Sequence, residues 1–328
     1  MIRAAVDVSP LVQTRAGTAR HVQGLLGALA GREGIEVASR SFGGAGRAAS
    51  LARDTWWYYA GLPRSARGLD VLHCTTFRGP LRSPVPFAVT LHDLALVRNP
   101  ELFPRWHRLS GRAGIGPVAR AADRVLAVSE FTKHEAIELL GLPEERVTVI
   151  GNAVEPVFTP TGPVSEGDYV LAVGTLEPRK NLRRVAEASA RIGTELRVVG
   201  ARGWGGVGWG GVETPGWVGE VSDDELAALY RGARALVFPS LYEGFGIPVL
   251  EAMASGTPVV TSRGGATDEI AGGAAVLVDP LDVAAIAAGI EEADARHAEL
   301  RALGVERARA YTWDAVADRV ESVWRELT

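Results

Sequence analysis

Glu243–Glu251, EGFGIPVLE, follows the apolar run Ala235–Pro239, and its reading decides the fold of this chain. The apolar run has the length and composition of a short buried strand. Pro248 suits the first turn of a following helix, where no backbone N–H is required. The segment therefore reads as strand, glycine-rich bend, helix, with Glu243 in the bend and Glu251 near the helix start. A bend of this kind offers backbone N–H groups and the positive end of a helix to a phosphate ester. Two carboxylates beside it can accept hydrogen bonds from hydroxyl groups, so the pair suits a sugar that bears a phosphate. On its own, an E-x7-E is more simply a strand–turn–helix corner with two solvated glutamates. The functional reading rests on what agrees with it elsewhere.

Outward from that bend, strand-like runs alternate with helix-like stretches, the order of an α/β fold with parallel sheets. In the first half the runs are Arg3–Val8, Ile35–Ser39, Val71–Cys74, Phe87–Leu91, Arg124–Val128 and Val147–Ile150. In the second half they are Tyr169–Val173, Leu196–Val199, Ala235–Phe238, Pro258–Thr261 and Ala275–Val278. Between the halves, GNAVEPVFTPTGPVSEGD (residues 151–168) is rich in Pro and Gly and reads as a linker. Each half is then a doubly wound domain, with a cleft expected between them. Val221–Gly232 reads as a helix, with Ser222 and Glu225 forming an S-x-x-E capping box. Trp313–Leu327 has apolar residues near helical spacing.

A chain of 328 residues exceeds the usual single-domain size. Its 47% hydrophobic content and mean hydropathy of +0.08 allow two buried cores and argue against disorder. No apolar run reaches the length of a membrane span, and MIRAAVDVSP reads as the start of a strand, not a signal peptide. The single cysteine, Cys74, excludes an internal disulfide and cysteine-cluster metal sites, so a cytoplasmic protein is expected. Residues 1–160 carry 19 Lys and Arg against 14 Asp and Glu, whereas residues 161–328 carry 16 against 25. That asymmetry fits two domains with different partners, or chance drift between two surfaces. Lysine occurs only as Lys133 and Lys180, against 33 arginines, so each can be there for its compact point charge.

EPRKN, Glu177–Asn181, directly follows the strand YVLAVGT. Arg179 and Lys180 then emerge at a strand's carboxyl end, where open α/β sheets bind ligands. Two adjacent cations there suit a diphosphate and can neutralise charge on a leaving group. The alternative is a pair of surface charges, but cations at a helix N-terminus oppose its dipole. His92, in TLHD, also follows an apolar strand and can donate a hydrogen bond or move a proton near neutral pH, although a histidine there is more often structural. Gly17, in QTRAGTARH ahead of the helix Val22–Leu29, either lets the backbone approach a phosphate or makes a simple turn. Gly264–Gly265 with Asp268 and Glu269 repeat the theme weakly. These candidates come from both halves, so domain closure would bring them together.

In these residues and the segments around them, the chain resembles the retaining glycosyltransferases of family 4, the group 1 glycosyltransferases, with their two-Rossmann-domain GT-B fold. The matching segments are YVLAVGTLEPRKNL, FPSLYEGFGIPVLEAMASGTPVV, VSEFTKHEA and the closing YTW, and the short bacterial mannosyltransferase-like members are the nearest branch. The resemblance implies an α/β GT-B fold of two doubly wound Rossmann-like domains facing a central cleft. Residues 1–157 would be the acceptor-side domain, 158–310 the nucleotide-sugar-binding domain, and 311–328 a helix returning to the first. Glu251 would bind the ribose hydroxyls and Glu243 the donor-sugar hydroxyls. Arg179 and Lys180 would hold the diphosphate, Gly17 would approach it, and His92 would contact the sugar near the reacting carbon. Gly244, Phe245, Gly246 and Ile247 would complete the donor pocket. The chain departs from the family pattern at Ala19, where a second glycine is usual, and at Thr267–Glu269, which leaves Glu269 without an assigned role.

The implied reaction moves a hexose, with mannose favoured, from a nucleotide-diphosphate sugar to a hydroxyl with retention of anomeric configuration. Attack would come from the front face, with the departing phosphate taking the acceptor's proton. No cofactor is implied beyond the donor substrate, GDP-mannose or a UDP-sugar. No Asp-x-Asp pair occurs, and the cation pair can stand where other enzymes use a metal. A saccharide or lipid-linked saccharide acceptor would meet the basic half, and no nucleic-acid partner is expected. Arg105, Arg108 and Arg112 beside Trp106, with the aromatic run Trp56–Tyr59, either meet the anionic inner face of a membrane or are surface arginines and a buried cluster. Three rivals stand beside this reading: a hydrolysing UDP-N-acetylglucosamine epimerase, a catalytically inactive sugar-nucleotide-binding scaffold, and a nicotinamide-dependent oxidoreductase. EGFGIPVLE after EPRKN opposes the first, and the intact charged residues oppose the second. The third lacks a G-x-G-x-x-G after the first strand.

Overall fold

In a computed structural model, the structure describes residues 1–13, 17–44, 46–103, 114–203 and 215–328. The chain divides into two compact units, Met1–Ala153 with Thr312–Thr328, and Val154–Tyr311.

Unit 1 holds strands β1 (Ile2–Asp7), β2 (Ile35–Arg40), β3 (Val71–Cys74), β4 (Phe87–Leu91), β5 (Arg124–Ala127) and β6 (Val147–Val149). They form one parallel sheet in the order β2-β1-β3-β4-β5-β6. Parallel strands are covered on both faces, and their alternation assigns side chains to two cores. Ala5, Leu72, Phe87, Val89 and Val125 pack on one face with Trp57 and Leu62. Ala4, Val6, Val71, Ala88 and Leu126 pack on the other with Leu25 and Trp324.

The chain's last helix, Trp313–Leu327, belongs to this second core, with Val316, Val320, Val323 and Trp324 buried. It lies against the helix Gly17–Leu29, where Gly24 is indispensable: a Cβ there would sit 2.0 Å from the Trp313 ring.

Unit 2 holds β7 (Tyr169–Val173), β8 (Glu195–Val199), β9 (Trp217–Gly219), β10 (Leu236–Phe238), β11 (Val259–Ser262) and β12 (Val276–Val278). This sheet is also parallel, in the order β12-β11-β10-β7-β8-β9. Val170, Ala172, Val198, Val237 and Val260 pack with Leu182, Val185, Ile286 and Ile290. The capping box read from the sequence is formed: Glu225 N donates to Ser222 Oγ at 3.3 Å and Ser222 N donates to Glu225 Oε2 at 2.8 Å.

One expectation changes. Every strand read from the sequence is present, but β9 was not among them: three residues, Trp-Val-Gly, are too short to show a period. The division between the two units, Ala153 to Val154, falls inside the Pro- and Gly-rich segment 151–168 read as a linker, and Val154 N donates to Tyr311 O at 3.3 Å in unit 2. Phe158 is buried edge-on to Tyr230, so the segment packs almost from its start.

Candidate functional site

Unit 2 builds β7, β8 and β9 to one side, then returns to set β10 on the other side of β7. Ligands of open α/β sheets bind past the carboxyl ends of the strands at such a reversal. Here the two loops are those following β7, which carries Glu177–Asn181, and β10, which carries Pro239–Gly246. They are joined by charge. Lys180 Nζ lies 2.6 Å from Glu243 Oε1, and Arg179 Nη1 lies 2.9 Å from Glu243 Oε2. Arg179 Nε lies 2.9 Å from Glu177 Oε2, which orients the guanidinium from its other side. The backbones agree, since Leu241 N donates to Arg179 O at 2.8 Å.

Lys180 is 9% exposed, with its ammonium 4.8 Å from the centre of the Phe238 ring. Removing charges from water costs several kcal/mol per ion unless they are paired and hydrogen-bonded. Burial pushes the Glu243 carboxyl up, but Lys180 and Arg179 outweigh it and hold the group down to about 2. Burial pulls the Lys180 ammonium down from its ordinary value, and Glu243 opposes that pull. The cluster sets two basic side chains against two acidic ones, and its centre, Glu243, is ionised at neutral pH. The anion that makes cations tolerable at this helix start is the chain's own Glu243.

Glu251 lies on the helix Ile247–Ala254 that leaves the Glu243 loop. Pro248 occupies its second position, and Gly246 caps it at φ 107, where a Cβ would come 2.9 Å from Thr267 Cγ2. Gly244 and Phe245 form the bend itself, Ile247 opens the helix, and the Phe245 ring is edge-on to Tyr311 at 6.0 Å. Glu251 is 2% exposed and its Oε2 accepts from the Tyr230 hydroxyl at 2.9 Å. Asp268 accepts from Gly264 N at 2.7 Å, so the acid of that weak motif serves its own turn.

In unit 1, His92 follows β4 and its Nε2–H donates to Thr75 O at 2.9 Å. Burial lowers its basicity despite that bond and the nearby Asp93, which leaves a neutral ring with Nδ1 as the lone-pair nitrogen. His21 packs edge-on to it at 4.9 Å, with Nδ1 3.4 Å from Asn152 Oδ1. Burial lowers His21 well below the usual imidazole range and His73 to about 3, with His92 adding to both. Gly17 opens the helix that carries His21, four residues before it. The reversal in this sheet lies between β1 and β3, where Thr75 Oγ1 donates to Asp7 O at 2.7 Å. Asp7 Oδ1 accepts from Ser9 N and Oγ at 3.1 and 2.6 Å, and burial raises its carboxyl to about 6.

Sequence reading gave no role to Glu177, Asn181, Tyr230, His21, His73 or Asp7. Glu177 and Asn181 lay inside EPRKN, and His21 ended QTRAGTARH, so these could have been singled out; the others carry no local signal. The run Trp56–Tyr59 divides, with Trp57 and Tyr58 buried, and Trp56 and Tyr59 51% and 47% exposed. Arg105, Trp106, Arg108 and Arg112 lie outside the described residues. Among the described residues, no helix is long and apolar enough to cross a membrane, and no group of three or more His, Cys, Asp or Glu could hold a metal ion.

The chain is similar to known proteins. The family model described as Glycosyl transferases group 1 matches residues 167–293, and that described as Glycosyltransferase Family 4 matches residues 15–158. The O-antigen chain mannosyltransferase B of Escherichia coli is 33% identical over 265 residues, 73% of this chain and 70% of that protein. The MMP alpha-(1->4)-mannosyltransferase of Mycolicibacterium hassiacum is 44% identical over 231 residues, 64% of this chain but only 55% of that protein. Among solved structures, sucrose-phosphate synthase from Thermosynechococcus elongatus superposes with a TM-score of 0.81 at 20% identity, covering 100% of this chain and 99% of that one. Anabaena HepE, solved in complex with UDP and glucose, superposes with a TM-score of 0.77 at 18% identity, with 100% of each chain covered. These likenesses establish a GT-B fold.

Proposed function

The chain belongs to the group 1, family 4 glycosyltransferases, and from that premise we propose that it moves a hexose, mannose in preference, from a nucleotide-diphosphate sugar to a hydroxyl of a saccharide or lipid-linked saccharide. The observation that carries the donor reading is the Arg179–Lys180–Glu243 cluster at the strand reversal of unit 2. The preference for mannose rests on the names of the relatives.

In this reading the diphosphate meets Lys180 and Arg179, which stabilise charge as it gathers on the leaving phosphate. An ammonium has three donors, and Glu243 engages one of those of Lys180. Glu243, kept ionised by its two cations, accepts hydrogen bonds from the hexose hydroxyls. Glu251, oriented by Tyr230, accepts from the ribose hydroxyls. Gly244, Phe245, Gly246 and Ile247 line the donor pocket, and in unit 1 the neutral His92 offers Nδ1 as an acceptor for a hydroxyl. The acceptor oxygen attacks from the face the phosphate is leaving; the C–O bond to phosphate breaks, the new C–O bond forms, and the acceptor's proton passes to the departing phosphate. The anomeric configuration is kept, and the cations need no metal or other cofactor. The reaction belongs in the cytoplasm, with Trp56 and Tyr59 as a point of contact with a membrane face.

Radiolabelled sugar transfer from a panel of GDP- and UDP-sugars, run in excess EDTA, tests this reading. Transfer from GDP-mannose with the anomer retained in the product NMR spectrum supports it; an inverted product or loss of transfer in EDTA contradicts it.

A further inference from the structure

We propose that Asn181 is a positioning residue for the donor site, holding the loop that carries Arg179 and Lys180 in register with the loop that carries Glu243. This rests on the donor reading above. Asn181 is 5% exposed and has φ 57, the sole positive φ outside glycine among the described residues. Asn tolerates this left-handed conformation better than most side chains. It stands at the N-cap of the helix Leu182–Arg191, where an Asn side chain ordinarily accepts from a backbone N–H of the first turn. Here it makes no such bond. Its Nδ2 instead donates to Pro239 O at 3.0 Å and to Pro280 O at 2.6 Å, while Oδ1 accepts from Arg184 Nη1 at 2.9 Å. Two carbonyl neighbours on one side and a guanidinium on the other fix which end of the amide is nitrogen.

The topology gives these bonds their meaning. Asn181 follows β7, Pro239 follows β10, and Pro280 lies just past β12. One amide therefore ties together three strand ends of the sheet. Lys180 is the residue before the tie, and Glu243 lies a short loop beyond Pro239. Ser262 Oγ donates to Ser240 O at 2.6 Å and draws the end of β11 into the same net. Without the amide, both carbonyls lose a buried donor, and the link between the two loops falls back on the ion pairs, the Arg179 Nη1–Tyr242 O bond and the Leu241–Arg179 backbone bond.

The lysine content of the chain supplies a test that does not depend on activity. Lys180 is buried and paired with Glu243, while Lys133, on the helix Glu130–Leu140 of unit 1, pairs with Glu144 at 3.0 Å and serves as an internal reference. Limiting acetylation by an N-hydroxysuccinimide ester, read by peptide mass spectrometry, gives the ratio of Lys180 to Lys133 modification. Asn181→Gly keeps the left-handed backbone and removes the tie, and should raise that ratio about tenfold, the equivalent of losing a hydrogen bond or so. Ile286→Val, a core change in the same unit, should leave the ratio at the wild-type value while lowering Tm. If Asn181→Gly does not fold, Asn181→Ser, which keeps one donor, is read in the same way. A ratio that stays at the wild-type value, or rises no further than in Ile286→Val, overturns the proposal. Protection of wild-type Lys180 by an added nucleotide sugar tests the donor reading separately: its absence overturns that reading and leaves the positioning role of Asn181 to be decided by the acetylation ratio alone.

Discussion

The two units share an architecture and differ in chemistry. Each is a six-stranded parallel sheet whose polar residues gather past the strands' carboxyl ends. In unit 2 that region is charged: Glu177, Arg179, Lys180 and Glu243 meet as ions within 3 Å of one another in successive pairs. In unit 1 neutral rings dominate: His21 and His92 are held below the imidazole range, while Asp7, raised to about 6, stays mostly ionised at pH 7. Strand order accounts for where each region lies, because unit 1 reverses after two strands and unit 2 after three. It does not account for the charges. A doubly wound sheet offers a place for a ligand, and the side chains decide which ligand. Paired ions suit a diphosphate, whereas neutral hydrogen-bonding rings suit hydroxyls.

The largest expected effect separates the units by stability. Trp324→Ala empties the unit 1 core beneath His73 and should cost ~3–5 kcal/mol, the usual penalty for truncating a buried tryptophan. Hydrogen exchange should localise that loss to unit 1; an equal loss of protection in unit 2 would break the distinction. Next, Lys180→Ala should reduce kcat roughly 10²–10³-fold, the scale for removing one preorganised donor to a developing charge. A steady-state assay that found kcat intact would remove the charged cluster from the chemistry.

Acid should separate the units again. His73 titrates at about 3 in the folded chain, against 6.5 for an unperturbed histidine, so its contribution is present above pH 6.5 and lost as pH falls towards 3. His21 and His92 act in the same direction. Asp7, raised from 3.8 to about 6, opposes them between those values, one group against three. Glu243, lowered from 4.5 to about 2, contributes stability above pH 4.5 that is lost only as pH falls towards 2. Limited proteolysis along an acid titration should therefore cut unit 1 first. The smallest effect is Tyr230→Phe, which removes one hydrogen bond to Glu251 and should raise the donor KM roughly threefold to tenfold with kcat little changed.

Much of the fold was legible because buried parallel strands read as continuous apolar runs bounded by Gly and Pro. The helices Asp223–Gly232 and Trp313–Leu327 were legible through a cap and a period. The site was legible in part. Arg179, Lys180 and Glu243 each stood out beside a strand, but their pairing spans more than sixty residues and follows from strand order, which no local pattern encodes. Asn181 had no role in the sequence reading, because its partners, the carbonyls of Pro239 and Pro280, lie far along the chain. His92 stood out after its strand, but His21 and His73 were opaque for a similar reason: a single His says nothing about the rings packed against it.

The central claim is that the charged cluster of unit 2 binds the diphosphate of a nucleotide sugar. Isothermal titration of wild type and Lys180→Ala with GDP, UDP, ADP and TDP and their sugars tests it most directly. The predicted result is binding of one nucleoside diphosphate series, GDP foremost, weakened at least tenfold in Lys180→Ala. Binding of equal strength in the two proteins, or of no nucleotide by wild type, would contradict it.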